Sequence, residues 1–198
     1  MSGQAPVRPQ LVRGQRIFLS TFTRDDVPTL TRWFANLEVT AYVGMQGRVF
    51  VTEQEQAWYD DYVKPSQTAQ HFAVIDAATQ QPIGVVSLMD IRQLHQRAEL
   101  GIVIGDPQYW SNGYGREAVD LMCQYGFGFL NLHVIYLWYM SYNERARRSY
   151  EAVGFVETGR IPQARLFNGR RYDDVVMARY VGERDFPALT NNYGQLPF

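Results

Sequence analysis

The chain has 198 residues, 46 % hydrophobic and 20 % charged, with a formal net charge of −1. That balance fits one folded domain and excludes the strongly basic composition of a dedicated nucleic-acid binder. No window approaches the roughly 18 consecutive apolar residues of a transmembrane helix. The N-terminus lacks the basic-then-apolar order of a signal peptide, and a single cysteine, Cys123, excludes a disulfide framework within the chain. The expectation is a cytoplasmic protein with neither a nucleic-acid nor a membrane partner.

Residues 1–14 are polar and proline-containing and are expected to form an arm. The folded domain is expected to span 15–181, and residues 182–198 carry no clear element and read as a tail. "QRIFLSTF" alternates and is rich in β-formers, which predicts a strand over Gln15–Phe22. Thr23, followed by Asp25 and Asp26, starts a helix in which Leu30, Trp33, Phe34 and Leu37 recur at i, i+3, i+4, i+7. Thr52 and Glu55 have capping-box spacing and open a second helix, "TEQEQAWYDDYV", closed by Pro65.

The period then changes. "HFAVIDA", "IGVVSLMDIR" and "RAELGIVIG" are three strands with short connections, which predicts an antiparallel meander. A helix runs from Gly115 to about Leu130, with Ala118, Leu121, Met122, Tyr125 and Phe129 on its buried stripe. "VIYLWYMSY" is a strand whose unbroken apolar run predicts burial on both faces. Asn143 is placed to cap the helix "ERARRSYEAV", which Gly154 ends. Asn168-Gly169 joins the last two strands in a hairpin. The order is β-α-α-β-β-β-α-β-α-β-β. It gives an α+β (mixed α/β) fold: a mixed, mostly antiparallel sheet of about six or seven strands with helices on both faces.

The stretch "DPQYWSNGYGREAVD" carries the chemistry. Gly113-Tyr114-Gly115-Arg116-Glu117-Ala118 fits the dinucleotide fingerprint G-x-G-x-x-A. That fingerprint needs its first glycine at a strand end in the first β-α unit, and an acid about 20 residues on. Here seven residues, Asp106–Asn112, separate strand from glycine, and three antiparallel strands come first. The spacing disfavours a nicotinamide site, and no Walker loop is present. What remains is general: glycines that admit an anion and unpaired amides at a helix N-terminus, which favour a phosphate. The same glycines also suit a plain strand-to-helix turn.

Two segments together are more specific than the loop. "AELGIVIGDPQYWSNGYGREAVDLM" followed by "IYLWYMSYNERARRSYEAVGFVETG" resembles the GNAT superfamily of N-acetyltransferases. Within it the chain is similar to the bacterial group of ribosomal-protein N-terminal acetyltransferases and spermidine acetyltransferases. The resemblance runs from about Arg16 to Val181 and is strongest between Glu99 and Gly159. "W-S-N-G-Y-G" stands where the family usually has [Q/R]-x-x-G-x-[G/A], so Trp110 replaces a polar residue whose role there is through its backbone.

The resemblance implies acetyl-CoA as donor, a GNAT-like fold and an amine acceptor. The acceptor is a protein N-terminal α-amine, a polyamine or a small-molecule amine. Backbone groups of Ser111, Asn112, Gly113, Tyr114, Gly115 and Arg116 would hold the pyrophosphate. Ile102, Val103 and Ile104 would pair with the pantetheine arm on a strand that splays from its neighbour. Asn143 would contact the same arm, act as helix cap, or do both. Arg147 or Arg148 would reach the 3′-phosphate. Relatives are often dimers, which implies a homodimer. A catalytically idle acyl-CoA sensor is the alternative of another class.

An alkylammonium with a pKa of roughly 10.4 must lose a proton before attacking a thioester, and the leaving thiolate must gain one. Tyr150, seven residues or about two helical turns after Asn143, is the candidate acid. Glu99, on the strand facing the thioester, is the candidate base, acting through water. Glu38, Glu55 and Asp60 lie near the early helices with the aromatics Trp33, Phe34, Tyr42, Trp58 and Tyr59. Acids among aromatics suit a cationic amine, and Trp33, Tyr42 and Trp58 are the candidate acceptor contacts. Cys123 reads as core. His71, His95 and His133 share no metal-ligand spacing, so no metal is expected.

Overall fold

The computed structural model describes residues 8–45, 48 and 50–182. The chain forms β1 (Val12–Arg13), β2 (Ile17–Ser20), α1 (Val27–Phe34), α2 (Leu37–Ala41), α3 (Thr52–Tyr62), β3 (Gln70–Asp76), β4 (Pro82–Arg92), β5 (Arg97–Ile104), α4 (Tyr114–Gly128), β6 (Val134–Met140), α5 (Glu144–Ala152), β7 (Val156–Phe167) and β8 (Arg170–Tyr180). One eight-stranded sheet runs β1-β2-β3-β4-β5-β6-β8-β7. Its neighbours are antiparallel except β5 and β6, which are parallel. The α4 crossover allows that pair, because parallel strands need a long connection.

Period-2 alternation splits the core between the two faces of the sheet. Ile17 and Leu19 of β2, and Phe72 and Val74 of β3, pack with Ala118, Leu121 and Met122 of α4 and with Tyr150 of α5. Phe18, Ala73 and Ile75, the alternate residues, pack with Leu30 and Trp33 of α1. Cys123 is buried on the α4 side.

Several expectations need correction. The sheet has one strand more than expected, because β1 begins at Val12 inside the stretch read as an arm. Arg8 is also held there, in an ion pair with the buried carboxylate of Asp26. Residues 1–7 and the tail 183–198 lie outside the described residues. The first helical region is a 3₁₀ turn and two helices rather than one, because the side chain of Asn36 accepts from the Glu38 amide at 2.9 Å and starts α2. Leu37 is consequently exposed. At α3 the cap is Val51, whose N–H donates to Gln54 Oε1 at 3.0 Å, so Thr52 and Glu55 form no box. Finally, β6 is not buried on both faces: Trp138 is 44 % exposed. Its face looks onto a cavity rather than a helix.

Candidate active site

The site begins where two strands part. Parallel pairing of β5 with β6 covers Arg97–Val134, Ala98–Ile135 and Glu99–Tyr136, and stops there. Beyond Glu99, β5 remains paired with β4 alone, through Gly101, Ile102, Val103 and Ile104. One backbone edge of this segment therefore has no strand beside it, and an extended amide chain is the natural partner for such an edge. The expected splay is present.

A cavity of about 820 Å³ follows that edge and reaches the turn before α4. Ile102, Val103, Ile104, Ser111, Asn112, Gly113, Gly115, Arg116 and Asn143 line it, so these expected donor residues are brought together. Tyr114 instead points toward Arg16 and Tyr109. Gly113 has φ +85° and is the N-cap of α4. The first α4 bond runs from the Glu117 N–H to the Gly113 carbonyl at 3.0 Å. The amides of Tyr114, Gly115 and Arg116 thus precede any helical partner, at the positive end of the helix dipole. A Cβ at Gly113 would press on the Arg16 guanidinium, whereas one at Gly115 would make only ordinary contact with Ile104. Of the two glycines, Gly113 is the one the backbone requires.

Residues that the sequence did not point to brace this turn. Arg16 donates to the Asn112 carbonyl at 2.7 Å and pairs with Glu117 at 3.2 Å. Trp110 also acts through its side chain: its indole N–H donates to the Ile104 carbonyl at 2.7 Å. Arg145 lies between Trp110 and Tyr42, its guanidinium carbon 3.8 Å and 4.7 Å from the two ring centroids. Of the two arginines expected near the 3′-phosphate, Arg148 lines the cavity, while Arg147 is held by Glu144 and Glu151 on its own helix.

A second cavity, of about 500 Å³, lies on the other face of β5, under α1 and α3. Glu99, Gly101 and Val103 face it from β5; Val85, Ser87 and Met89 from β4; His71 from β3; Trp138 from β6; and Glu55 and Trp58 from α3. Tyr42, Val43, Ile102, Val103, Asn143 and Tyr150 line both cavities, so the two spaces meet at the mouth of the splay. Asn143 is buried and caps α5, with Oδ1 accepting from the Ala146 amide at 3.1 Å. Both roles considered for it fit its position.

Among the expected acceptor contacts, Tyr42 and Trp58 line the second cavity, but Trp33 does not. Trp33 is buried against Gly105, where its indole fills the space a side chain would need. The neighbouring Phe34 reaches the cavity instead.

The electrostatics sort the titratable groups. Burial holds the Tyr150 phenol well above its ordinary value, so it remains a proton donor at neutral pH. Burial, and then the nearby Asp90 charge, raises the Glu99 carboxyl. Burial also raises Glu55. Burial lowers His71, whose Nδ1 lies 2.7 Å from Ser87 Oγ, and this favours the neutral ring. Arg165, at the rim, is paired with Asp174 at 2.7 Å.

The geometry has counterparts among known proteins. The family pattern described as an acetyltransferase (GNAT) domain matches residues 16–156. Spermidine N(1)-acetyltransferase of Escherichia coli K12 is 31 % identical over 136 residues, covering 67 % of this chain and 71 % of that protein. The corresponding Vibrio cholerae enzyme is 37 % identical over 107 residues, 54 % of this chain and 61 % of the relative, under two thirds of its length. A crystal structure of the Vibrio cholerae spermidine N-acetyltransferase with CoA and spermine superimposes with a TM-score of 0.75 at 28 % identity, covering 83 % of this chain and 95 % of that one. The splayed strand edge, the free amides before α4 and the adjoining arginines fit a CoA thioester. The chain belongs to the GNAT acetyltransferase family, as an N-acetyltransferase that takes its acetyl group from acetyl-CoA.

Proposed function

We propose that the protein acetylates a small cationic primary amine of the polyamine class by direct attack on acetyl-CoA. The observation that carries this reading is the junction: Tyr150 and Asn143 border both the donor cavity and the acidic, aromatic-lined second cavity. The relatives' acetylation of spermidine supports the polyamine class. Acetyl-CoA supplies the activated acyl group. Main-chain groups of Ile102 and Val103, the turn amides and Asn143 hold it with its thioester at the splay. Glu99 takes the ammonium proton through water, which frees the nitrogen lone pair to form the C–N bond. As the C–S bond breaks, the Tyr150 phenol gives its proton to the sulfur, and the resulting phenolate is reprotonated by the second proton that the newly acylated nitrogen sheds, leaving a neutral amide and free CoA thiol. No covalent enzyme adduct is needed, and buried Cys123 takes no part.

The idle-sensor alternative requires no acid at the junction, and Tyr150 stands there. Release of free CoA thiol is the test, measured with spermidine, spermine, peptides bearing free N-termini and aminoglycosides. Turnover on the polyamines above the others supports the proposal. Preferential turnover on peptides would move the assignment to protein α-amines. Acetyl-CoA binding without turnover on any amine would favour the sensor.

A further inference from the structure

Glu55 is not used by the chemistry above. It is 6 % exposed and lines the second cavity. Its carboxylate makes no hydrogen bond or ion pair among the described residues, and burial alone governs its acidity. A buried carboxylate left without a partner is destabilising, and the usual outcome is a matched cation or a neutral replacement. Among the described residues, the cavity supplies no such cation. Arg165 is committed to Asp174, and His71 is held toward its neutral form beside Ser87. Glu55 is also not a helix cap, since Gln54 does that work.

The wall around Glu55 suits a charged alkyl chain. Trp58 lies one helical turn from Glu55 on α3, and residues three apart share a helix face. Its ring stacks on Tyr62 at 5.4 Å and meets His71 edge-on at 6.1 Å. Such a wall covers methylenes and attracts ammonium groups. Glu99 stands across the cavity on β5, at the point where β5 leaves β6. The cavity thus has two carboxylates on different elements, one beside the reacting end and one under α3.

We propose that Glu55 is the specificity residue for a second ammonium group, so that the acceptor site selects amines with two cationic ends over those with one. This rests on the reading of the second cavity as an amine site. It goes further by giving the two carboxylates separate tasks: Glu99 serves the nitrogen that reacts, and Glu55 anchors the one that does not.

The test compares wild type with Glu55→Gln on spermidine and on a monoamine of similar length, n-hexylamine, after confirming for each protein a cooperative thermal transition and acetyl-CoA binding by calorimetry. The expected result is a fall of about ten- to a hundred-fold in the ratio of kcat/KM for spermidine over hexylamine, expressed in KM, as for loss of one charge-assisted contact. Glu55→Asp should recover part of that ratio. An unchanged ratio in Glu55→Gln overturns the proposal, whether both substrates lose rate equally or neither does. Absence of turnover by wild type on both amines would instead overturn the amine-site reading.

Discussion

The guanidinium of Arg145 stacks on the indole of Trp110, 3.8 Å from its centroid, while that indole donates to the Ile104 carbonyl at 2.7 Å. A residue of α5, the turn before α4 and the end of β5 are thereby joined at the larger cavity. Burial is the main influence on Arg145 and pulls its pKa down. It forms no salt bridge among the described residues, so stacking rather than a carboxylate holds its charge in place. Arg145→Ala should weaken CoA binding by about three- to tenfold, the loss of one cation–π-held charge facing an anion. Arg145→Lys should recover little, because an ammonium does not stack as a planar guanidinium does. Isothermal calorimetry with CoA measures both.

Tyr150→Phe removes the proposed proton donor without emptying its place. The expected outcome is a kcat lower by about 10²–10⁴-fold, the range for loss of a general acid, with CoA affinity within about twofold. Since burial raises the phenol, the wild-type alkaline limb should not follow ordinary tyrosine titration. An unchanged kcat in the variant would remove Tyr150 from the mechanism.

Glu99 must be ionised to act as base. Burial and Asp90 raise its pKa, so the rising limb of kcat/KM should lie above the ordinary carboxylate value of 4.5. Activity increases with pH through that limb, because deprotonation creates the base. In Glu99→Gln the limb should vanish together with most of the rate. Persistence of the limb in the variant would transfer the proton to a water chain or to another acid.

Glu55 gives a stability prediction with the opposite dependence. Its folded-state pKa is raised above 4.5, so the folded form binds the proton more tightly than the unfolded chain. Its contribution is fully present below about 4.5 and is lost as pH rises through the folded value. Glu55→Gln should therefore melt above wild type at neutral pH, each kcal/mol appearing as about 2–4 °C. The two melting curves should converge near pH 4. A variant less stable at neutral pH would show that the carboxylate has a structural partner.

At Gly105, an added Cβ would fall within the Trp33 indole. Gly105→Ala should destabilise the fold by about 1–3 kcal/mol through overpacking, read by urea denaturation. Gly105→Ala combined with Trp33→Leu should recover part of the loss, because the leucine returns the space.

Local signals in the sequence determined a large part of this protein. The glycine turn before α4, the Asn143 cap and the Asn143–Tyr150 spacing were legible because glycine conformation, capping and helical periodicity act within one or two turns of chain. The meander and the final hairpin followed from period-2 patterning and turn residues. The acceptor side was not legible in the same way. Whether Thr52 or Val51 caps α3 depends on how the chain enters the helix, and that choice turned Glu55 from an expected capping acid into a buried cavity wall. Phe34 rather than Trp33 meets the cavity because Gly105 receives the indole. Trp138 is open, despite its apolar neighbours, because β5 and β6 part beyond Glu99. Each of these outcomes depends on contact between residues far apart in sequence. Periodicity says which residues share a face; only the packing of one element on another decides whether that face meets a helix, a strand or a cavity.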